Sequence, residues 1–112
     1  MSNYATSLTV PAPVAQVVPA AVYAAQAVGL NVQAQAPYMM KCKSGMGLTA
    51  YPVTIELAVA GVDGAAQINV KASNFGFGPL QSGACRDNAN KLIASMVGIL
   101  QGWAAQAAPA QK

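Results

Sequence analysis

Two stretches of alternating apolar and polar residues, joined by an Asp63-Gly64 pair, constrain the fold of this chain more than any other feature. Every second residue is apolar from 53 to 59, and the pattern returns from 68 to 72. Successive side chains of a β-strand point to opposite faces, so each stretch predicts a strand with one buried face. Asp-Gly suits the tight turns of β-hairpins. The sequence therefore predicts a hairpin whose inner face comprises Val53, Ile55, Leu57, Val59, Ile68, Val70 and Ala72.

Weaker patterns predict three further strands. Residues 8–10 indicate a short strand that Pro11 stops, because a proline cannot donate to a strand ladder. Residues 30–36 and 38–44 indicate two more, the second ended by a loop at Gly45-Met46-Gly47. The side chains expected to face inward on these two strands are Leu30, Val32, Ala34, Ala36, Met40 and Cys42.

Two segments have the three- and four-residue apolar spacing of amphipathic helices. The first covers residues 14–28 and ends at Gly29, since glycine is common just after a helix. Pro19 falls inside it, and because an interior proline removes a backbone hydrogen bond and costs about 3 kcal/mol, the helix either kinks or starts there. The second helix is expected to begin near residues 82–85, after a loop at 74–83, and to run to about Gly102.

Together these elements predict an α+β fold, an antiparallel sheet of four to five strands with two helices packed on one face. The order along the chain is β-α-β-β-β-β-α. Both helices are expected on the same face because every strand has one apolar face to cover. Residues 1–104 would form this single domain, and residues 105–112, rich in Ala and Gln, would form a flexible C-terminal tail.

Charged side chains are scarce. They make up 8% of the chain, with six Lys or Arg and three Asp or Glu, whereas an average domain has about 25%. Residues 1–40 and 92–111 contain none. Such a surface has little of the like-charge repulsion that keeps monomers apart, so we expect a homo-oligomer or a complex with another protein. An ordinary neutral surface is the alternative.

No nucleic acid is expected as a partner, and no membrane span is expected in the chain. The basic residues are scattered, and the predicted outer face of the sheet has lysines but no aromatic side chain on which bases would stack. No segment reaches the roughly 18 consecutive apolar residues of a membrane-spanning helix, and the first residues lack the pattern of a secretory signal. The expected compartment is the cytoplasm.

The residue types needed for catalysis are largely missing. The chain has no histidine, and its three carboxylates, Glu56, Asp63 and Asp87, have no reason in the sequence to converge. We therefore expect no enzyme, no catalytic or metal-binding residues and no cofactor. Cys85 near the start of the second helix would have a lowered thiol pKa if the helix dipole and Arg86 act on it. The alternative is a buried structural cysteine.

The glycine-rich loop at 76–83 is the candidate binding feature. Free backbone amides and a helix N-terminus attract anions, and a basic side chain lies nearby, although the spacing matches neither the Walker nor the dinucleotide motif. A plain strand-to-helix loop is the alternative. The candidate contacts to a ligand or partner are Phe75, Phe77, Gly78, Gly83 and Arg86.

One pattern resembles a known group of small bacterial domains. It comprises Val10-Pro11-Ala12-Pro13, then Val17, Ala21 and Ala25, then Val28-Gly29-Leu30-Asn31-Val32, and finally Asp63-Gly64. Over roughly residues 8–100 this layout is similar to the helix-grip-like modules of the outer-membrane assembly lipoprotein BamC. The resemblance implies an interaction or scaffold module without catalytic residues. The chain differs from that group in having no lipoprotein signal.

Two functional hypotheses follow. The first is a non-catalytic structural or protein-interaction module that self-associates. The second is a small-ligand or anion-binding domain, which would use either the cavity between sheet and helices or the loop at 76–83 with the helix N-terminus that follows.

Overall fold

The computed structural model describes residues 1–45 and 51–107. It confirms the α+β fold and the order of the elements. The strands and helices are β1 (Ser2–Val10), α1 (Val14–Ala27), β2 (Asn31–Ala36), β3 (Met39–Lys43), β4 (Thr54–Val62), β5 (Ala65–Asn74) and α2 (Pro79–Ala107).

The strands form one antiparallel five-stranded sheet in the order β1-β5-β4-β3-β2. Three of the pairings join strands that follow one another in the chain. The fourth brings β1 beside β5, from Ser2 opposite Asn74 to Val10 opposite Ala66. The two edges of the sheet are therefore β1 and β2.

The Asp63-Gly64 hairpin is confirmed. Val62 pairs with Ala65, and the two residues between them have positive φ angles, 47° at Asp63 and 81° at Gly64. Positive φ at both central residues is what a type I′ turn needs, and its twist matches that of the flanking strands. All seven side chains predicted for the inner face of this hairpin are buried: Val53, Ile55, Leu57, Val59, Ile68, Val70 and Ala72.

Both helices lie on this inner face. α2 contacts β1 and β5, α1 contacts the other strands, and the two helices pack against each other. The ring of Tyr23 on α1 meets that of Trp103 on α2 edge to face, with centroids 6.1 Å apart. The side chains that α1 buries are all small, two valines and four alanines: Val17, Val18, Ala20, Ala21, Ala24 and Ala25.

Pro19 does not end α1. The helix runs from Val14 to Ala27 through the proline, which lies on the exposed side. Gly29 follows with φ at 83°, and the backbone N–H of Leu30 donates to the carbonyl of Ala25 at 2.8 Å. A left-handed glycine after the last turn allows this contact, as expected for a helix C-terminus.

Three predicted boundaries were wrong. β1 begins at Ser2 rather than at residue 8, because an edge strand can be built from polar and small residues that give no apolar signal. α2 begins at Pro79 rather than near residues 82–85, since proline is well accommodated in the first turn of a helix. It also continues past Gly102 to Ala107. Met46 and Gly47 of the predicted loop, and residues 108–112 of the predicted tail, lie outside the described residues.

The predicted inner face of β2 was also wrong in part. Leu30 is buried and Val32 half-buried, but Ala34 and Ala36 are exposed. The pairing of β2 with β3 shifts register between Val32 and Ala34. A bulge of this kind bends a strand and breaks the alternation of its side chains, which explains the error.

Among residues 1–45 and 51–107, no helix is long and apolar enough to span a membrane.

Two glycines offer a matched test of the backbone geometry. Gly64→Ala forces a side chain into a left-handed conformation and should lower the free energy of unfolding by about 1 kcal/mol. Gly98→Ala should instead raise it by about 0.5 to 1 kcal/mol, because Gly98 lies within α2 and a Cβ there meets no atom within 4 Å. Urea denaturation measures both. Equal effects of the same sign would contradict the assigned turn.

Candidate functional site

An open cleft of about 650 Å³ lies between the first half of α1 and the turn that joins β2 to β3. One wall comes from the helix and the other from the turn. The lining residues are Val14, Ala15, Val18, Pro19, Gln35, Ala36, Pro37 and Tyr38. This cleft is the candidate functional site.

The cleft exists because the end of β2 is not covered by the helical layer. After the bulge at Val32, Ala34 and Ala36 pair with outward-facing residues of β3, so they lie on the outer face of the sheet. Gln35 pairs instead with the buried Met40 and lies on the same face as α1, yet it is exposed. The bulge therefore reverses the faces of the strand and leaves its end uncovered beside the helix.

The outer wall of the cleft is held in place by the sheet. Ala36 pairs with Met39 across the β2–β3 turn, and the carbonyl of Tyr38 accepts a hydrogen bond from the backbone N–H of Val59 at 2.9 Å. Pro37 fixes its own φ angle. The Tyr38 side chain is 62% exposed, so its ring stands at the mouth of the cleft.

The walls are mainly apolar and carry no charged side chain. Only Gln35 and Tyr38 have polar side-chain groups, an amide that donates and accepts and a hydroxyl that does both. Apolar walls with a few polar groups are typical of small-molecule sites. The chemistry of the cleft suits a neutral, largely apolar ligand with one or two hydrogen-bonding groups.

Two other clefts, of about 320 and 550 Å³, lie over β1, β5 and β4 on the opposite face of the sheet. Their lining residues include the polar side chains of Asn3, Lys71 and Ser73. Lys71 lies opposite Glu56 in the register of β4 and β5, so the first of these clefts presents charges of both signs. Both lie on the outer face of the sheet, whereas the candidate site lies between the sheet and a helix.

The loop at 76–83 differs from its prediction because most of it is helix. Gly78 has φ at 94° and directly precedes α2, whereas Gly83 lies inside the helix. Phe75 and Phe77 are exposed, at 73% and 81%, and do not fold back over the core. The structure thus brings Phe75, Phe77 and Gly78 together at one end of the sheet, and their role as contacts remains a prediction.

Buried polar side chains close this end of the molecule. The side-chain amide nitrogen of Asn74 donates to Oε1 of Gln81 at 3.1 Å, and the Ser2 hydroxyl donates to the carbonyl of Gly76 at 2.9 Å. Gln81 packs so close to Gly76 that a Cβ there would clash with its Cγ. These contacts tie β1, β5 and the first turn of α2 together, so the loop serves the fold.

Arg86 is exposed on α2, where its Nε lies 3.3 Å from the Oδ1 of Asp87. The neighbouring carboxylate reduces the attraction of this guanidinium for an anion. Among the described residues, no group of histidine, cysteine, aspartate or glutamate side chains is placed to hold a metal ion.

Both cysteines are free and buried, Cys42 on β3 and Cys85 on α2. Burial raises the pKa of the Cys42 thiol to about 11, and it also raises the pKa of the Cys85 thiol. The Sγ of Cys85 donates to the backbone carbonyl of Ser2 at 3.7 Å. The pKa of the Cys85 thiol is therefore raised rather than lowered, and the expectation of a buried cysteine at this position is confirmed.

No protein-family model and no curated protein sequence matches this chain. Solved structures do resemble it. DynU16, a protein of the dynemicin biosynthetic locus, superposes with a TM-score of 0.67 and 15% identity over 90% of this chain. The chain spans about half of DynU16, 48% of its length.

Two further structures cover this chain and nearly all of their own length. Ara h 8.0201 gives a TM-score of 0.59 at 10% identity, and TTHA0849 from Thermus thermophilus gives 0.54 at 9%, each over 89% of this chain and 97% of the other. Such identities show a shared fold alone. None of these three structures is described as a BamC module, so they give the expected resemblance to that group no support.

Sequence reasoning missed the residues of the cleft. Pro37 and Tyr38 looked like a strand junction, and Gln35 like a solvent-facing strand residue. The sequence held little signal for them, because the bulge that turns Gln35 to the inner face of the sheet has no distinctive pattern.

The buried Cys42 thiol makes stability depend on pH. Because its pKa is about 11 in the folded chain and 9.0 ordinarily, the folded state keeps the proton to higher pH. The contribution of this thiol to the free energy of unfolding is fully present below pH 9.0 and is lost as pH rises to about 11.

Denaturation in guanidinium chloride at about pH 8 and about pH 10.5 measures this loss. Cys42→Ala removes the titrating thiol but keeps every tyrosine and lysine. Between these two pH values the variant should therefore lose less free energy of unfolding than wild type does. If wild type and variant lose the same amount, the thiol is not protected from ionisation by the fold.

Proposed function

We propose that this chain is a small-ligand-binding domain, which holds a neutral and largely apolar molecule in the cleft between α1 and the β2–β3 turn. The proposal is for binding without catalysis. It develops the second of the two hypotheses from the sequence, with the space between sheet and helices as the site in place of the loop at 76–83.

The observation that carries the proposal is the cleft itself. Its volume of about 650 Å³ lies within the range of roughly 300 to 1,000 Å³ that is usual for small-molecule sites. The walls are apolar and fixed by regular secondary structure, and only Gln35 and Tyr38 supply side-chain hydrogen-bonding groups. A site without charged side chains gives an ion no charged partner, which favours a neutral ligand.

The comparison with solved structures also supports a small-ligand role. DynU16 belongs to a biosynthetic locus, a setting in which proteins handle small molecules. The similarity to that structure favours a small-ligand role for this chain more than a scaffold role. The absence of histidine from the whole chain favours binding alone, because the usual general base is missing.

A fluorescence titration with Nile red, a neutral apolar dye, tests the proposal. Wild type should give saturable binding with enhanced emission. Ala15→Phe fills the cleft from an exposed position of α1 and should weaken binding about tenfold or more, which corresponds to about 1.4 kcal/mol.

Ala60→Phe is the matched control, since Ala60 is an exposed alanine of β4 that does not line the cleft. It should bind the dye as wild type does. Equal binding by both variants, or no saturable binding by wild type, would contradict the proposed site.

Substitutions at Tyr38 separate the contribution of its ring from that of its hydroxyl. Tyr38→Ala removes the aromatic wall at the mouth and should weaken dye binding about tenfold. Tyr38→Phe retains the ring and should bind within about twofold of wild type if apolar contact dominates. A loss as large in Tyr38→Phe as in Tyr38→Ala would show that the hydroxyl makes the main contact.

A further inference from the structure

The two edges of the sheet are protected very differently. An exposed edge strand presents unpaired backbone N–H and C=O groups, and proteins commonly protect it with short strands, bulges, prolines or charged side chains. β2 has two of these devices, since it is only six residues long and is bulged between Val32 and Ala34. It is a poor template for another strand.

β1 has none of these devices. It spans nine residues, pairs with β5 in continuous register from Ser2 to Val10, and contains no proline and no charged residue. Its outer edge is therefore long, regular and neutral. An edge of this kind favours pairing with a further strand.

The side chains of β1 are self-complementary about Thr6. In an antiparallel pair of two β1 strands centred there, Tyr4 lies opposite Leu8 of the second copy, and both side chains are half-buried in one copy. On the other face Ala5 lies opposite Ser7, a small and uncharged pair. Apolar and aromatic cross-strand pairs stabilise such sheets.

α2 extends this surface above the strand. The Tyr4 hydroxyl donates to Oδ1 of Asn90 at 3.4 Å, and Val97 lines a small apolar cleft with Val10 and Pro11. Ile93 lies between Asn90 and Val97 along the helix and, like Val97, is half-buried. A second copy at the β1 edge would cover more of these apolar side chains.

Charge favours a second copy as the occupant. In a two-fold symmetric dimer, a residue close to the axis lies near the same residue of the second copy. A charged side chain at such a position would therefore be repelled by its counterpart. No residue from 1 to 40 is charged. Lys71 on β5, which pairs with Ala5, would be separated from its copy by three strand spacings, about 14 Å, a distance over which salt screens strongly.

We propose that two copies of this chain pair through β1, antiparallel and centred on Thr6, to form one continuous sheet. This dimer is independent of the ligand cleft, which borders β2 at the opposite edge of the sheet. It gives a defined geometry to the self-association expected from the scarcity of charge.

Light scattering and sedimentation on the full chain test the dimer across a concentration range. Wild type should approach twice the monomer mass of 11.3 kDa. Ala5→Glu and Ser7→Lys each place charges near the axis on the exposed face, and each should raise the dissociation constant about tenfold. Ala60→Lys is the control, since Ala60 is exposed on β4, away from β1. This variant should have the same dissociation constant as wild type.

Mixing the two variants tests the register. In the proposed pairing Glu at position 5 lies opposite Lys at position 7 of the other copy, so an equimolar mixture should dimerise better than either variant alone. Circular dichroism confirms that each variant is folded. A monomeric wild type, or dimers unaffected by both β1 substitutions, would overturn the proposal, and failure of the mixture to recover would overturn the register centred on Thr6.

Discussion

The pairing of β1 with β5 is the interaction on which the rest of the structure depends. It joins the first strand to the last over nine consecutive positions and sets the order of the sheet. Because β1 takes one edge, β2 must take the other. α2 then lies over β1 and β5, α1 covers the remaining strands, and the candidate site falls where α1 meets the less regular edge.

The predictability of the fold follows the strength of its apolar pattern. The β4–β5 hairpin was predicted, and all seven residues assigned to its inner face are buried, since a buried sheet face imposes alternation and Asp63-Gly64 supplies the turn. β1 was mostly missed because its inner residues include Thr6 and its outer ones are small or polar. The start of α2 was misplaced because Pro79 looks like a loop residue unless its tolerance in a first helical turn is considered.

The candidate site was harder to predict than the fold. It depends on a local departure from regular geometry, the bulge after Val32, which places Gln35 rather than Ala34 and Ala36 on the face beside α1. A bulge of this kind has no distinctive sequence pattern. The loop at 76–83 attracted attention through its glycines, yet Gly76 is required by the close packing of Gln81 and Gly78 by its positive φ angle. Its composition is explained by structural requirements.

The separation of β1 and β5 along the chain also has a kinetic consequence. The other strand pairings join neighbours and can form by closing short loops, whereas β1 must wait until the strand ending at Asn74 is available. Contacts between distant parts of a chain slow folding because the loop must close before they contribute stability. During synthesis, β1 therefore leaves the ribosome well before its partner strand exists, and the neutral segment at the start of this chain must stay unpaired over that interval.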